Sequence, residues 1–153
     1  MSAPTTTPRG RRLESEGELA AVVRAMRAVA VVGMKGADRP DEPAFEIPQR
    51  LQQLGFRVLP VNPGLASALG ERAWPDLASV PDPFDVVDVF RRIEAIPGVA
   101  DAVLALPAER RPRVVWLQSG IRHDESTERL TAAGIDVVQD RCLGVYAGRY
   151  APR

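Results

Sequence analysis

One apolar, β-branched run that ends in a glycine-containing turn constrains the fold of this chain more than any other feature. The run covers residues 28–32 (AVAVV), the turn reads Gly33-Met34-Lys35-Gly36, and Arg39 follows closely. A strand with such a turn is typical of open α/β sheets that bind nucleotides, because a phosphate can approach backbone N–H groups there. The turn lacks the G-x-G-x-x-G spacing of dinucleotide-binding folds, so it indicates a nucleotide-type ligand but not NAD.

The alternation of apolar runs and helical patterns predicts the fold class. Five runs, at residues 28–32, 57–61, 85–90, 114–118 and 136–139, are separated by segments with helical spacing or by a proline-rich connection. This arrangement predicts an α/β fold, a single doubly wound Rossmann-like domain with a five-stranded parallel sheet. We expect the strand order 3-2-1-4-5, which places the turn after the first strand at the topological switch point.

The beginning of the chain reads as a separate segment. Residues 1–14 combine Thr-Pro with a basic cluster and are expected to form a flexible tail, leaving residues 15–153 as the folded domain. Ser15 and Glu18 make a capping box, which predicts that the first helix begins there. Pro48 is expected either at the first position of the second helix or at a kink inside it.

Composition narrows the partners and the compartment. The 20 basic and 20 acidic residues give no net charge, so nothing indicates a nucleic acid or an anionic membrane as partner. The single cysteine, Cys142, excludes an internal disulfide framework and fits a reducing compartment. No apolar run approaches the ~20 residues of a membrane-spanning helix. We therefore expect a cytoplasmic protein.

Ligands of open α/β sheets bind beyond the carboxyl ends of the strands, so the segments that follow the five runs are candidate ligand contacts. Each contains small or polar residues that can present a backbone N–H group or a side chain. The segments are 33–39, 61–64, 88–92, 116–121 and 140–144.

Taken in order, these segments resemble the small stand-alone CoA-binding proteins, which are related to the CoA-binding domain of the succinyl-CoA synthetase alpha subunit. The resemblance runs from about Leu19 to Gly144. It rests on Val-Val-Gly at 31–33, Arg-Pro at 39–40, Pro-Val-Asn-Pro at 60–63, Asp-Val-Phe-Arg-Arg at 88–92, Val-Trp-Leu-Gln-x-Gly-Ile at 115–121 and Asp-Arg-Cys at 140–142.

The resemblance implies coenzyme A as the ligand, with phosphates at the loop after the first strand, adenosine at the loop after the second and the pantetheine arm at the loop after the fourth. The residues it assigns to binding are Gly33, Met34, Lys35, Gly36, Arg39, Val61, Asn62, Pro63, Phe90, Arg91, Gln118, Ser119, Gly120 and Cys142. The chain departs from the family at Gly64-Leu65, where relatives commonly have a basic residue. Lys35, Arg39 or Arg72 would then have to contact the 3′-phosphate.

Several of these residues also have purely structural interpretations. Gly33 and Gly36 can form a tight turn without a ligand. Arg91 and Arg92 can neutralise phosphate or anchor Asp85 or Asp88. A second group of single residues is expected in structural roles: Trp116 in the core and His123 at the start of a helix, not as a base or metal ligand.

Cys142 has two interpretations, a small buried apolar residue or a reactive thiol. At a helix start beside Arg141 it would be favoured as thiolate and could form a mixed disulfide with bound CoA.

Three functions remain open. The first is binding of free CoA or acyl-CoA without autonomous catalysis, since the sequence contains no nucleophile–base pair, nucleophile elbow or Walker lysine loop. The second is a subunit or remnant of an acyl-CoA synthetase that acts with a partner chain. The third is an NAD(P)-binding oxidoreductase or redox sensor, which would require an acidic residue where Asn62 stands. A homo-oligomer or a synthetase-type partner chain is compatible with either of the first two.

Overall fold

The computed structural model describes residues 8–152 and contains five α-helices and seven strands in that part of the chain. In chain order these elements are α1 (Glu16–Ala25), β1 (Ala28–Val32), α2 (Pro43–Gln53), β2 (Arg57–Val61), β3 (Ser67–Ala68), β4 (Glu71–Arg72), β5 (Val86–Val89), α3 (Ile96–Leu104), β6 (Val114–Leu117), α4 (Asp124–Ala132), β7 (Asp136–Val138) and α5 (Leu143–Tyr150). Strands β1, β2, β5, β6 and β7 form one parallel sheet, and β3 pairs with β4 as a small antiparallel ribbon.

The α/β class and the five-stranded parallel sheet are confirmed, but the predicted strand order is wrong. The sheet runs β2-β1-β5-β6-β7, so its five strands follow the order 2-1-3-4-5 and not 3-2-1-4-5. The third strand of the sheet, β5, pairs directly with β1. The switch point therefore lies between β1 and β5, and the turn after β1 still borders it.

The connection between β2 and β5 explains the difference. Crossovers between parallel strands are right-handed, so the face on which a connection packs decides to which side the next strand is added. Helix α2 covers one face through Phe45 and Leu51. The connection after β2 packs Leu77, Val80 and Phe84 against the opposite face, and this directs β5 back past β1.

The ends of the helices follow local sequence signals. Ser15 and Glu18 form the predicted capping box, with Ser15 Oγ accepting from Glu18 N at 3.2 Å. Pro48 lies inside α2, which begins at Pro43, and Gly55 follows that helix with a φ of +100°. Within residues 8–152, every helix is too short or too polar to cross a lipid bilayer.

We expected residues 1–14 to form a flexible tail, and this expectation is wrong for residues 8–14, which pack on the domain. Residues 1–7 lie outside the described residues. Leu13 N donates to Val137 O at 2.9 Å, and Val137 N donates to Arg11 O at 3.0 Å. Leu13 is buried in the core beneath α1. Strand β7 is the last strand of the sheet, so this segment pairs with backbone groups of an edge that would otherwise be open.

Candidate functional site

Three adjoining cavities form a groove along the carboxyl edge of the sheet. We call them the proline cavity, the cationic cavity and the thiol cavity, with volumes of about 460, 540 and 570 Å³. Arg91 lines all three, and Phe90 and Arg92 line both the cationic and the thiol cavity. The groove is therefore continuous, and it crosses the switch point between β1 and β5.

The proline cavity lies between the ends of β1 and β2 and the start of α3. Gly33 and Val61 come from the strand ends, and Val99 comes from α3. The connection that directs β5 past β1 supplies Pro75 and Leu77. The lining is mainly apolar, which suits a ring system.

The cationic cavity is lined by Lys35, Arg91 and Arg92, together with Phe90, Glu94 and Ala95. Within residues 8–152 none of its three cations takes part in an ion pair, whereas many other arginines of the chain do. Unpaired cations that converge on one cavity favour an anionic ligand such as a phosphate.

The idea that Arg91 and Arg92 anchor Asp85 or Asp88 is wrong. Asp85 Oδ2 accepts from the backbone N–H groups of Arg27 and Ala28, at 2.8 and 3.0 Å. Asp88 accepts from the side chain of Gln118.

The thiol cavity is bordered by the N-termini of α2 and α5, and Glu42, which precedes α2, also lines it. Pro43, Ala44 and Ile47 of α2 give it an apolar wall. Gln118, Ser119 and Ile121 follow β6, and half-buried Cys142 is the residue that precedes α5. Cys142 lies at a helix start, as expected, but Arg141 turns away and lines a separate small cavity with Arg12 and Arg122.

Gly33 is required by the backbone itself. Its φ is +82°, and a Cβ atom there would lie 2.2 Å from the carbonyl oxygen of Phe90. Only glycine allows the turn after β1 to approach the end of β5 this closely. The close approach is what brings Lys35 and Arg91 to one cavity.

Some residues assigned by resemblance do not line the groove. Met34 is fully buried in the core, and Gly36 is buried against Leu65. Arg39 is exposed and pairs with Asp38 and Glu42. Gly120 N donates to Asp140 Oδ1 at 2.6 Å.

Asn62 acts within the protein as a link between two loops. Its Nδ2 donates to Met34 O, and its Oδ1 accepts from Gly64 N, both at 2.9 Å. The amide holds the turn after β1 against the loop after β2. The residues assigned by resemblance that do line the groove are Gly33, Lys35, Val61, Pro63, Phe90, Arg91, Gln118, Ser119 and Cys142.

Sequence reasoning missed Asp88 and the contribution of α3. Asp88 is completely buried within β5, and its Oδ1 accepts from Gln118 Nε2 at 2.5 Å. Burial raises the pKa of the Asp88 carboxyl to about 7. A carboxylate in the middle of an apolar strand was the available signal. Glu94, Ala95 and Val99 could not be assigned to the groove from the sequence, because their position depends on the strand order.

The comparisons with known proteins agree with this architecture. The model of a family described as CoA binding domain matches residues 27–148. The uncharacterized protein YneT of Bacillus subtilis is 35% identical over 131 residues, 86% of this chain and 93% of that protein.

Among solved structures, a Thermus thermophilus protein is 40% identical with a TM-score of 0.80, covering 90% of this chain and 99% of its own. A dinucleotide-forming acetyl-coenzyme A synthetase from Candidatus Korarchaeum cryptofilum is 22% identical, with a TM-score of 0.60. That match covers 76% of this chain but 27% of the synthetase, so it extends to the fold alone.

Proposed function

Because the chain belongs to the CoA binding domain family, we propose that it binds coenzyme A in the groove along the carboxyl edge. The observation that carries the proposal is the cationic cavity, where Lys35, Arg91 and Arg92 converge without ion-pair partners among residues 8–152. Coenzyme A has its diphosphate between adenosine and the pantetheine arm. A cationic cavity between two mainly apolar ones matches that order.

The two ends of the groove differ in a way that orients the ligand. We place adenosine in the proline cavity, where Val61, Pro63 and Leu77 offer apolar surfaces. The pantetheine arm then lies in the thiol cavity beside Gln118 and Ser119, with its sulfur toward Cys142.

NAD is a poorer candidate for two reasons. The turn after β1 has two glycines, Gly33 and Gly36, where the dinucleotide pattern needs three. Asn62, which stands where an acidic residue would hold the ribose, has its amide engaged with Met34 O and Gly64 N.

Calorimetric titration of the full chain tests the proposal. We expect CoA to bind at least about tenfold more tightly than NAD, a difference of ~1.4 kcal/mol. Mass spectrometry of the ligand retained after native purification identifies the natural form, free CoA or an acyl-CoA. Equal or reversed affinities for CoA and NAD would contradict the proposal.

We further propose that the chain carries out no thioester chemistry of its own. His123, its single histidine, is engaged as the cap of α4, with Nδ1 accepting from Ser126 N at 3.1 Å. We expect no turnover of acyl-CoA with ATP and acetate or succinate. Turnover abolished by a substitution in this chain would refute this. Acyl-CoA formation only on mixing with a second chain would favour the synthetase-subunit alternative.

A further inference from the structure

A buried pair of polar side chains, Asp88 and Gln118, lies directly beneath the thiol cavity. Asp88 is in register with Val31 on β1 and Trp116 on β6, so apolar side chains flank it on both sides. It has no exposed surface, and its Oδ2 has no hydrogen-bond partner among the described residues. Gln118 and the backbone N–H of Val89 therefore offset only part of the cost of burying a charge there.

Gln118 connects this carboxyl group to the cavity. It is 4% exposed and lines the thiol cavity. Its Nε2 donates to Asp88 Oδ1, and within residues 8–152 its Oε1 accepts no hydrogen bond. The carboxylate accepts hydrogen bonds only, so it holds the amide with its nitrogen inward. The carbonyl oxygen is then free to accept a hydrogen bond from a ligand.

We propose that Asp88 is a positioning residue that sets the hydrogen-bonding polarity of Gln118 toward an amide-containing ligand arm. With Asp88 ionised, Gln118 presents an acceptor to a ligand N–H. With Asp88 protonated, its O–H donates to Oε1, and Gln118 turns its NH₂ group to the cavity. The inference rests on the proposed function, because the pantetheine arm supplies the two amides that would form a hydrogen bond with Gln118 in one orientation or the other.

Proton binding reverses the amide because a buried donor without a partner is disfavoured more than an acceptor without one. The neutral carboxyl therefore uses its O–H toward Gln118. Burial dominates the pKa of Asp88, and no charged side chain contributes to the shift. The ionisable groups that line the adjoining cavities are Lys35 after β1, Glu42 at α2, Arg91, Arg92 and Glu94 after β5, and Cys142 before α5, and Tyr146 of α5 packs against Trp116.

The test compares Asp88→Asn with the unmodified chain for two ligands, CoA and adenosine 3′-phosphate 5′-diphosphate, which lacks the arm. Asparagine has N–H donors and does not titrate, so it mimics protonated Asp88 at every pH. We expect the variant to bind CoA about fivefold more weakly at about pH 8 and equally at about pH 6. For the nucleotide without the arm, the two proteins are expected to bind alike at both pH values. Comparing two proteins with one ligand cancels the titration of the ligand.

Two further variants keep the inference testable. Gln118→Met removes the amide. For this variant we expect the ratio of its CoA affinity to its affinity for the nucleotide without the arm to be the same at both pH values. Asp85→Asn alters a carboxylate at the other end of the same strand and controls for loss of stability. Asp88→Asn binding CoA as the unmodified chain does at both pH values would overturn the inference, as would equal losses for both ligands. If the unmodified chain binds neither ligand, the proposed function fails instead.

Discussion

Asp85 and Asp88 belong to the same stretch of chain but have opposite environments. Asp85 precedes β5 at the amino edge of the sheet, and two backbone N–H groups donate to it. Asp88 lies near the carboxyl edge, fully buried, with one oxygen unpartnered among the described residues. The arginines at the two edges also differ in whether they have acidic partners. Arg57, which begins β2, pairs with Glu71 and Asp82, whereas Arg91 has no acidic partner within residues 8–152.

These two aspartates and two arginines show that the edges of the sheet differ in how far the protein itself satisfies their polar groups. Buried polar atoms in folded proteins are nearly always paired, so exceptions call for a functional reason. Here one of the two exceptions among the described residues, Asp88 Oδ2, lies beneath the groove that three unpaired cations line, whereas the other, Thr127 Oγ1, lies in α4. Asp85 at the amino edge stabilises the fold, whereas Lys35, Arg91 and Gln118 at the carboxyl edge are available to a ligand.

The largest expected effect concerns Asp88 and the pH dependence of stability. Its pKa is raised from 3.8 to about 7 in the folded state, so the folded protein binds this proton more tightly than the unfolded chain. Stability is therefore lost as the pH rises from about 4 to about 7, and no further change follows above that, with a slope of up to ~1.4 kcal/mol per pH unit. We expect Asp88→Asn to abolish this contribution. Urea denaturation across that range measures it.

The matched control is Asp85→Asn at the other end of the strand. Here the substitution weakens two hydrogen bonds from backbone N–H groups to a carboxylate, and we expect a loss of about 1.5 kcal/mol at pH 8. The two variants thus change stability in opposite directions at pH 8. Similar losses of stability for Asp85→Asn and Asp88→Asn at pH 8 would contradict the proposed difference between the two edges.

The next effect tests the close approach of β1 and β5. Gly33→Ala places a Cβ atom 2.2 Å from Phe90 O at a φ of +82°. Backbone strain and steric overlap together are expected to destabilise the fold by about 3 kcal/mol. Gly70→Ala is the control, because its φ is +77° and nothing lies within 4 Å of the added atom. It is expected to lose about 1 kcal/mol in urea denaturation. Equal losses of stability for Gly33→Ala and Gly70→Ala would show that the backbone relieves the overlap with Phe90 O at no cost in free energy.

The sequence predicts elements better than it predicts their arrangement. The five strands, the capping box at Ser15 and the buried Trp116 follow from local patterns. The strand order does not, because it depends on which face the connection after β2 covers. That connection contains no α-helix whose apolar face could be read from periodicity.

The site was predictable to a similar extent. Strand ends indicate the turn after β1 and the loops after β5 and β6, and these do border the groove. Whether a side chain points to the groove or the core is a tertiary property, so the inward turn of Met34 was missed. The linking role of Asn62 was missed because its partners lie on two loops.

Arg91→Ala tests the cationic cavity. Removing a guanidinium group that lines all three cavities is expected to weaken CoA binding about tenfold, or ~1.4 kcal/mol, measured by calorimetry at low salt. Arg57→Ala removes the same group from the amino edge, where Glu71 and Asp82 already neutralise it. We expect CoA affinity to change less than about twofold there, as for other exposed charges remote from a ligand. Equal effects would mean that only the overall charge matters.

The smallest expected effect is the loss of the ligand's 3′-phosphate. Near the proline cavity the chain has Gly64-Leu65 after Asn62-Pro63, so no basic side chain follows the strand end. Of the two arginines that could replace it, Arg39 pairs with Asp38 and Glu42, and Arg72 stacks over Trp74 with its guanidinium carbon 4.3 Å from the ring centre.

Both arginines would have to give up an existing contact to reach a phosphate, and this loss reduces what the new contact adds to CoA affinity. We therefore expect dephospho-CoA to bind within about threefold of CoA in the same calorimetric titration. Lys35 is the remaining cation, and Lys35→Ala should narrow any difference between the two ligands. A preference for CoA well above tenfold that survives Lys35→Ala would show that Arg39 or Arg72 leaves its partner for the ligand.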